Sequence, residues 1–162
     1  DILGVMDGDL QQSPEAIPLL LNKLNEDPLI DVVIASRNIK GAYVLRRSAW
    51  RSFVSGLGTF ISTLFLPELL AKVSDPMSGF FILRKEVINN KVLTPWGYKI
   101  LLEVLAKGTY RKIGEVPYIF AARKKGGSKA GIKQYFLSFI HLLRLSIQRS
   151  VYFVVKRIRH RA

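Results

Sequence analysis

Two carboxylates one residue apart, Asp7 and Asp9 with Gly8 between them, are the residues in this sequence best suited to chemistry. They supply hard oxygen donors on a narrow turn, which suits Mg²⁺ or Mn²⁺ and leaves coordination positions for a diphosphate. Taken alone, the triplet also fits a surface turn. Its context favours the metal. Ile2 to Met6 is an apolar run that predicts a buried strand, and Gln11 adds a neutral oxygen two residues after Asp9. In open α/β sheets ligands gather beyond the carboxyl ends of strands, which is where this run leaves Asp7 and Asp9.

The elements that must position them follow from periodicity. Ser13 is a candidate N-cap with Pro14 at the first helical position, and Ile17, Leu20, Leu21 and Leu24 follow at helical spacing. The β-branched run Asp31 to Ser36 predicts a second buried strand, ending at Arg37 in a loop closed by Gly41. From about Arg46 to Leu70 the pattern predicts a largely apolar helix. The Pro- and Gly-bearing stretch Ser74 to Gly79 predicts a loop and Phe80 to Leu83 a strand. Lys99 to Ala106 reads as a helix and Arg111 to Phe120 as a final strand. Arg123 to Gly131 is a basic, glycine-bearing loop, and Gln134 to Arg159 a long helix with one broad apolar face. Arg84 and Lys85 read as solvated surface, and His141 and His160 lack metal-ligand spacing.

Composition bounds the rest. The chain has 162 residues, 49% of them hydrophobic, enough for one sizeable core, and its net charge of +13 points to a polyanionic partner: phosphate, an anionic membrane surface or nucleic acid. From Lys107 to Ala162 a single acid, Glu115, faces fourteen Lys and Arg, so the basic pole is C-terminal. The absence of cysteine rules out a disulfide framework and thiolate metal sites. The chain opens on a strand already under way, as expected of a piece of a longer protein.

Four segments, in order, carry a resemblance. Val5 to Glu15 resembles the metal-binding segment of dolichol-phosphate mannose synthases and related family 2 glycosyltransferases. Ser74 to Phe81 is similar to that family's central loop, Ile113 to Pro117 to its last core strand, and Arg123 through Gly127, Ser128 and Lys129 to its mobile basic loop. The resemblance implies an α/β GT-A fold and inverting transfer of a hexose from a GDP- or UDP-sugar to a polyprenyl phosphate, dolichyl or undecaprenyl, at the cytoplasmic membrane face. It implies a metal held by Asp7, Asp9 and Gln11, and a phosphate contact at Arg37. Arg51 and Ser55 resemble the acceptor-phosphate pair, although Arg46 and Arg47 blur that register. Asp75 could contact the sugar or orient a cation, or simply build a turn before Pro76. Glu103 could be the remnant of a catalytic base, or a solvated helical acid. Arg123 and Lys129, on either side of two glycines, would swing over a bound diphosphate.

The expected organisation is a catalytic domain over residues 1–131, lacking the strands that precede Asp1 in the family, and a basic interfacial helix over 132–162. Such a piece alone is expected to be inactive and to have an exposed sheet edge. Rival readings are a family 2 transferase acting on a sugar hydroxyl, a catalytically dead membrane adaptor, and a nucleic-acid-binding module. The last has only charge and interleaved aromatics behind it, without a recognisable motif, so no nucleic-acid partner is expected.

Overall fold

The computed structural model describes residues 1–9, 11–45, 73–95, 99–121 and 137–148. Arg51, Ser55, Arg123 and Lys129 lie outside the described residues. So do the helix expected between Arg46 and Leu70, the basic loop, and the end of the C-terminal helix.

A four-stranded sheet organises the rest. Its strands are β1 (Ile2–Val5), β2 (Ile30–Ser36), β4 (Phe81–Arg84) and β5 (Lys112–Pro117), in the spatial order β1-β4-β2-β5. β4 runs antiparallel to both β1 and β2, and β2 runs parallel to β5. The carboxyl ends of β1, β2 and β5 and the amino end of β4 therefore share one edge of the sheet. A two-stranded parallel ribbon, β3 (Tyr43–Val44) with β6 (Ile119–Phe120), extends that edge.

β2 shows why the fold has three layers. All seven of its residues are buried, as the β-branched run predicts. Side chains alternate across a strand, so Val32 and Ile34 enter one apolar cluster while Val33 and Ala35 enter another, which Ile30 joins because the register shifts between Ile30 and Val32. The second cluster is closed by α1 (Ile17–Glu26) through Leu20 and Leu24, both fully buried. The first is closed by α2 (Ile100–Lys107) and by the helix of residues 137–148, α3, through Leu142 and Leu145. Burying one such leucine stabilises the fold by about 1.5–3 kcal/mol relative to leaving it exposed. The first turn before α1 is a 3₁₀ segment, Pro14–Ala16, and the Ser13 hydroxyl faces the Glu15 carboxylate rather than capping a backbone amide.

Three expectations are corrected. β1 is not a buried strand: it pairs only with β4 among the described residues, and Ile2 and Leu3 stay 43% and 38% exposed. The final strand is not continuous, because Tyr118 separates β5 from β6 and sends the chain into the second ribbon. Arg84 is not merely a solvated side chain, although it stays 31% exposed. Its guanidinium crosses the sheet end to donate to the carbonyls of Ile30 (3.1 Å) and Leu24 (3.1 Å), satisfying the end of α1. Gly41 does close the loop after Arg37, with a φ of 92° that disfavours a side chain.

No helix among the described residues is long and apolar enough to cross a membrane.

Candidate active site

The shared sheet edge gathers Asp7, Asp9, Arg37 and Asp75, together with Lys99 and Tyr118. β1 ends at Val5, so the turn Asp7-Gly8-Asp9 projects from the edge. Gln12 clasps the turn: its Oε1 accepts from the Asp7 amide at 2.7 Å, and its Nε2 donates to Asp7 Oδ2 at 3.0 Å. Asp9 Oδ1 accepts from the Gln11 amide at 3.1 Å. The Gln11 side chain turns its Nε2 to the Ala121 carbonyl (3.0 Å), and the Ala121 amide donates back to the Gln11 carbonyl (2.8 Å). The carboxylate turn is thus stitched to the end of β6.

The Asp7 carboxylate lies against the backbone of Gly79, where a Cβ would come within 2.9 Å of Asp7 Cγ. This close approach is what glycine permits here. Burial pushes the Asp7 carboxyl above its ordinary range, and the neighbouring Asp9 charge pushes the same way; Lys99, Arg37 and the Gln12 hydrogen bond only partly offset them.

Arg37 follows β2 directly, and Asp75 comes from the loop before β4. The two form a two-pronged ion pair, Nε to Oδ2 at 2.7 Å and Nη2 to Oδ1 at 2.8 Å, and the Arg37 amide also donates to Oδ2 at 3.0 Å. The guanidinium sits 5.6 Å from the centre of the Phe120 ring. Burial works against its charge, but the hydrogen bond and charge of Asp75 outweigh this and hold its pKa above the ordinary arginine value. Glu115, on β5, fixes the loop by accepting from the amides of Ser74 (3.0 Å) and Asp75 (3.3 Å). Ser78 ties it to β2 through the Ala35 carbonyl (2.8 Å).

Two groups at this edge carry no signal in the spacing of the sequence. Lys99, immediately before α2, points its ammonium to the Met77 carbonyl at 3.2 Å. Burial pulls its pKa down, as does the repulsion of Arg37, while Asp75 and Asp7 pull it back up. Tyr118 is 4% exposed, and its hydroxyl has no hydrogen-bond partner among the described residues. Burial pushes its pKa well up, and Arg37, Asp75, Asp7 and Asp9 all act on it. A helix start and the break between two strands hide such groups, because only chain crossings bring them to the carboxylates.

Glu103 is not brought to the open edge. It is fully buried between α2 and α3, with Oε2 2.6 Å from Lys107 Nζ and accepting from the Thr94 amide at 3.1 Å. Its Oε1 lies 3.5 Å from His141 Nε2, and His141 is likewise fully buried. The spacing of the sequence, which treats this histidine as incidental, misses that pairing.

The donor set at the edge fits a hard divalent cation. It offers two carboxylates, one of them destabilised by burial and by its neighbour, with amide side chains at Gln11 and Gln12. No group of three or more His, Cys, Asp and Glu able to hold a metal occurs among the described residues, so any such cation would rely on neutral oxygens or ligand to complete its shell.

No family model matches the chain. It is 41% identical over 145 residues to a dolichol-phosphate mannosyltransferase of Pyrococcus furiosus, covering 90% of this chain and 40% of that protein. It is 33% identical over 135 residues to the dolichol-phosphate mannosyltransferase of Saccharomyces cerevisiae, covering 78% of this chain and 48% of that one. An undecaprenyl-phosphate mannosyltransferase of Micrococcus luteus is 25% identical over 134 residues, with 80% and 53% covered. The chain thus spans about half the length, or less, of these relatives. Among solved structures it resembles glucosyl-3-phosphoglycerate synthase of Mycobacterium tuberculosis, with a TM-score of 0.61 at 18% identity, over 92% of this chain and 49% of that one. That crystal structure holds Mn²⁺, UDP-glucose and glycerol 3-phosphate. At this identity the likeness speaks for the fold, a mixed α/β architecture of the GT-A type. Over the span it covers, the chain is a homologue of dolichol-phosphate mannosyltransferases.

Proposed function

We propose that the protein to which this chain belongs transfers a hexose, mannose foremost, from a GDP- or UDP-sugar to a polyprenyl phosphate with inversion at the anomeric carbon. The observation that carries this reading is the carboxylate turn Asp7-Gly8-Asp9, set at the sheet edge opposite the cations Arg37 and Lys99, in a chain 41% identical to a dolichol-phosphate mannosyltransferase.

Asp7 and Asp9 would hold Mg²⁺ or Mn²⁺, and Gln11, with its Nε2 spent on the Ala121 carbonyl, keeps Oε1 for the same ion. When bound, such an ion neutralises charge building on the leaving diphosphate. The chain's own residues do the rest. The acceptor phosphate is ionised near neutral pH, so it attacks without a dedicated base. One of its oxygens forms the bond to the anomeric carbon as the bond from that carbon to the diphosphate oxygen breaks. The buried ion pairing of Glu103 is compatible with this chemistry, because no proton has to be taken from the nucleophile. Asp75 holds Arg37 in one orientation, from which the guanidinium acts on the Asp7 carboxylate. Arg51, Ser55, Arg123 and Lys129 are proposed to contact the two phosphates, the first pair on the acceptor side and the second on the donor side.

We place the protein at the cytoplasmic face of a membrane, where the C-terminal excess of Lys and Arg would meet anionic lipid at about 1 kcal/mol per cation close to the surface. The test is Asp9→Ala in the full-length protein, followed by transfer of radiolabelled sugar to polyprenyl phosphate with Mg²⁺ or Mn²⁺. A loss of at least a hundredfold is expected. Transfer at the native rate would refute the metal assignment.

A further inference from the structure

Lys99 occupies a position that charge physics disfavours from three sides. It stands immediately before the first residue of α2, at the positive end of the helix dipole. It is partly buried, and Arg37 repels it. Neighbouring carboxylates compensate only at a distance. Asp75 is taken up in both prongs of the Arg37 pair and Glu103 by Lys107, and no ion pair joins Lys99 to a carboxylate among the described residues. The one hydrogen bond drawn from its ammonium goes to the neutral carbonyl of Met77.

Arg37 is in the opposite condition. Its Nε and Nη2 are both committed to Asp75, and its backbone amide donates to the same carboxylate. A guanidinium so engaged has two of its five N–H donors committed and its plane fixed, whereas an ammonium carries three donors and rotates freely about its last bond. A second observation, independent of Lys99, shows that this edge is incomplete as it stands. The Tyr118 hydroxyl is buried without a partner among the described residues, and the same three groups that act on Lys99, namely Arg37, Asp75 and Asp7, also act on it. Unpaired buried polar groups are rare and costly, and one beside an open sheet edge is placed to be completed by a bound molecule or water.

We propose that Lys99 is a phosphate-binding residue of this site, donating from Nζ to a non-bridging phosphate oxygen, while Arg37 serves chiefly as a strut locked by Asp75. The proposal rests on the glycosyl-transfer reading above. A cation held by Asp7 and Asp9 would add positive charge to the edge and make a phosphate the natural counterpart of Lys99. The phosphate could come from the donor diphosphate or from the acceptor lipid, since both present the same oxygens.

The experiment uses the full-length protein and its Lys99→Met, Lys99→Gln and Lys99→Arg forms. Calorimetric titration with GDP and UDP in Mn²⁺ gives the donor-side affinity, and KM for a short polyprenyl phosphate gives the acceptor side. Lys99→Met should weaken one of the two by about tenfold or more, as expected for losing a charge-assisted hydrogen bond. Lys99→Arg should recover part of that loss. A weakened nucleotide assigns Lys99 to the donor diphosphate, and a raised KM for the lipid at unchanged nucleotide affinity assigns it to the acceptor. Unchanged values for both, with normal unfolding midpoints, would overturn the proposal while leaving glycosyl transfer standing. If the unaltered protein neither binds nucleotide nor transfers sugar, both readings fall together. If Lys99→Met unfolds, Lys99→Gln carries the test, because it removes the charge while keeping a polar side chain: wild-type affinity on both sides would then count against a direct phosphate contact.

Discussion

Arg37 and Asp75, 38 residues apart in the chain, close on each other through two side-chain hydrogen bonds of 2.7 and 2.8 Å, and Asp75 is 1% exposed. This pair locks the end of β2 to the loop that enters β4, and so sets the width of the edge at which Asp7 and Asp9 stand. Because Glu115 holds the amides of Ser74 and Asp75 as well, the loop is fixed from both sides.

Removing one partner of such a pair leaves a buried charge uncompensated. Asp75→Asn should therefore lower the unfolding free energy of the full-length protein by about 3–5 kcal/mol, read as a shift in the urea midpoint at constant m-value. Arg37→Lys should be substantially destabilising as well, because an ammonium cannot reproduce the planar two-pronged contact. A midpoint unchanged in both variants would mean that the pair does not hold the edge together.

Asp7 couples metal to stability with a definite sign. Its carboxyl is raised above the ordinary value of 3.8 by burial and by Asp9, so ionising it is less favourable in the metal-free fold than in the unfolded chain. The stability this confers is fully present below pH 3.8 and is lost as pH rises through the raised value, leaving the metal-free protein penalised at neutral pH. Asp7→Asn should therefore match or exceed the parent in melting temperature at pH 7 in EDTA. With Mn²⁺ at about a hundred times its Kd, the parent should gain about 2.7 kcal/mol and the variant far less. Equal gains in parent and variant would detach Asp7 from the metal.

His141 predicts an acid sensitivity of a different origin. Burial pulls its pKa below 6.5, with Arg144 and Lys107 adding to that and Glu103 opposing it, and both ring nitrogens lack hydrogen-bond partners among the described residues. The unfolded chain therefore takes up a proton first as pH falls, and the histidine's contribution, present above pH 6.5, is lost as pH drops toward the lowered folded value. His141→Leu should be neutral or stabilising at pH 7.5, because two unpaired buried polar atoms are removed. It should also flatten the decline in urea midpoint between pH 7.5 and 5.5. An identical decline in parent and variant would place the acid sensitivity elsewhere.

Much of the architecture was legible because it follows local periodicity. Leu20 and Leu24 lie at helical spacing and are fully buried in α1, and the run Asp31 to Ser36 forms most of a wholly buried central strand. The expected helix from Lys99 to Ala106 is realised as Ile100–Lys107. The placement of Asp7 and Asp9 beyond β1 was legible too, since an apolar run ending in carboxylates can lead to few other places in an α/β sheet. Arg84 was misjudged for the opposite reason. Its partners, the carbonyls of Ile30 and Leu24, lie 54 and 60 residues away, and nothing in the neighbouring residues announces them. Burial of β1 was likewise overestimated, because an apolar run does not reveal how many neighbours a strand will have.

By itself, then, the sequence determined which residue types reach the sheet edge, the alternation that gives β2 two covered faces, and a family likeness carried by four ordered segments. Tertiary structure alone decided how the charges divide: Arg37 committed to Asp75, Glu103 drawn into the interior with Lys107 and His141, Asp7 pressed against Gly79, and Lys99 left beside the carboxylates with a backbone carbonyl as its hydrogen-bond acceptor. The physical reason is range. Backbone periodicity acts over a few residues, whereas ion pairing and desolvation depend on distances in space that are set only when β1, β4, β2 and β5 assemble.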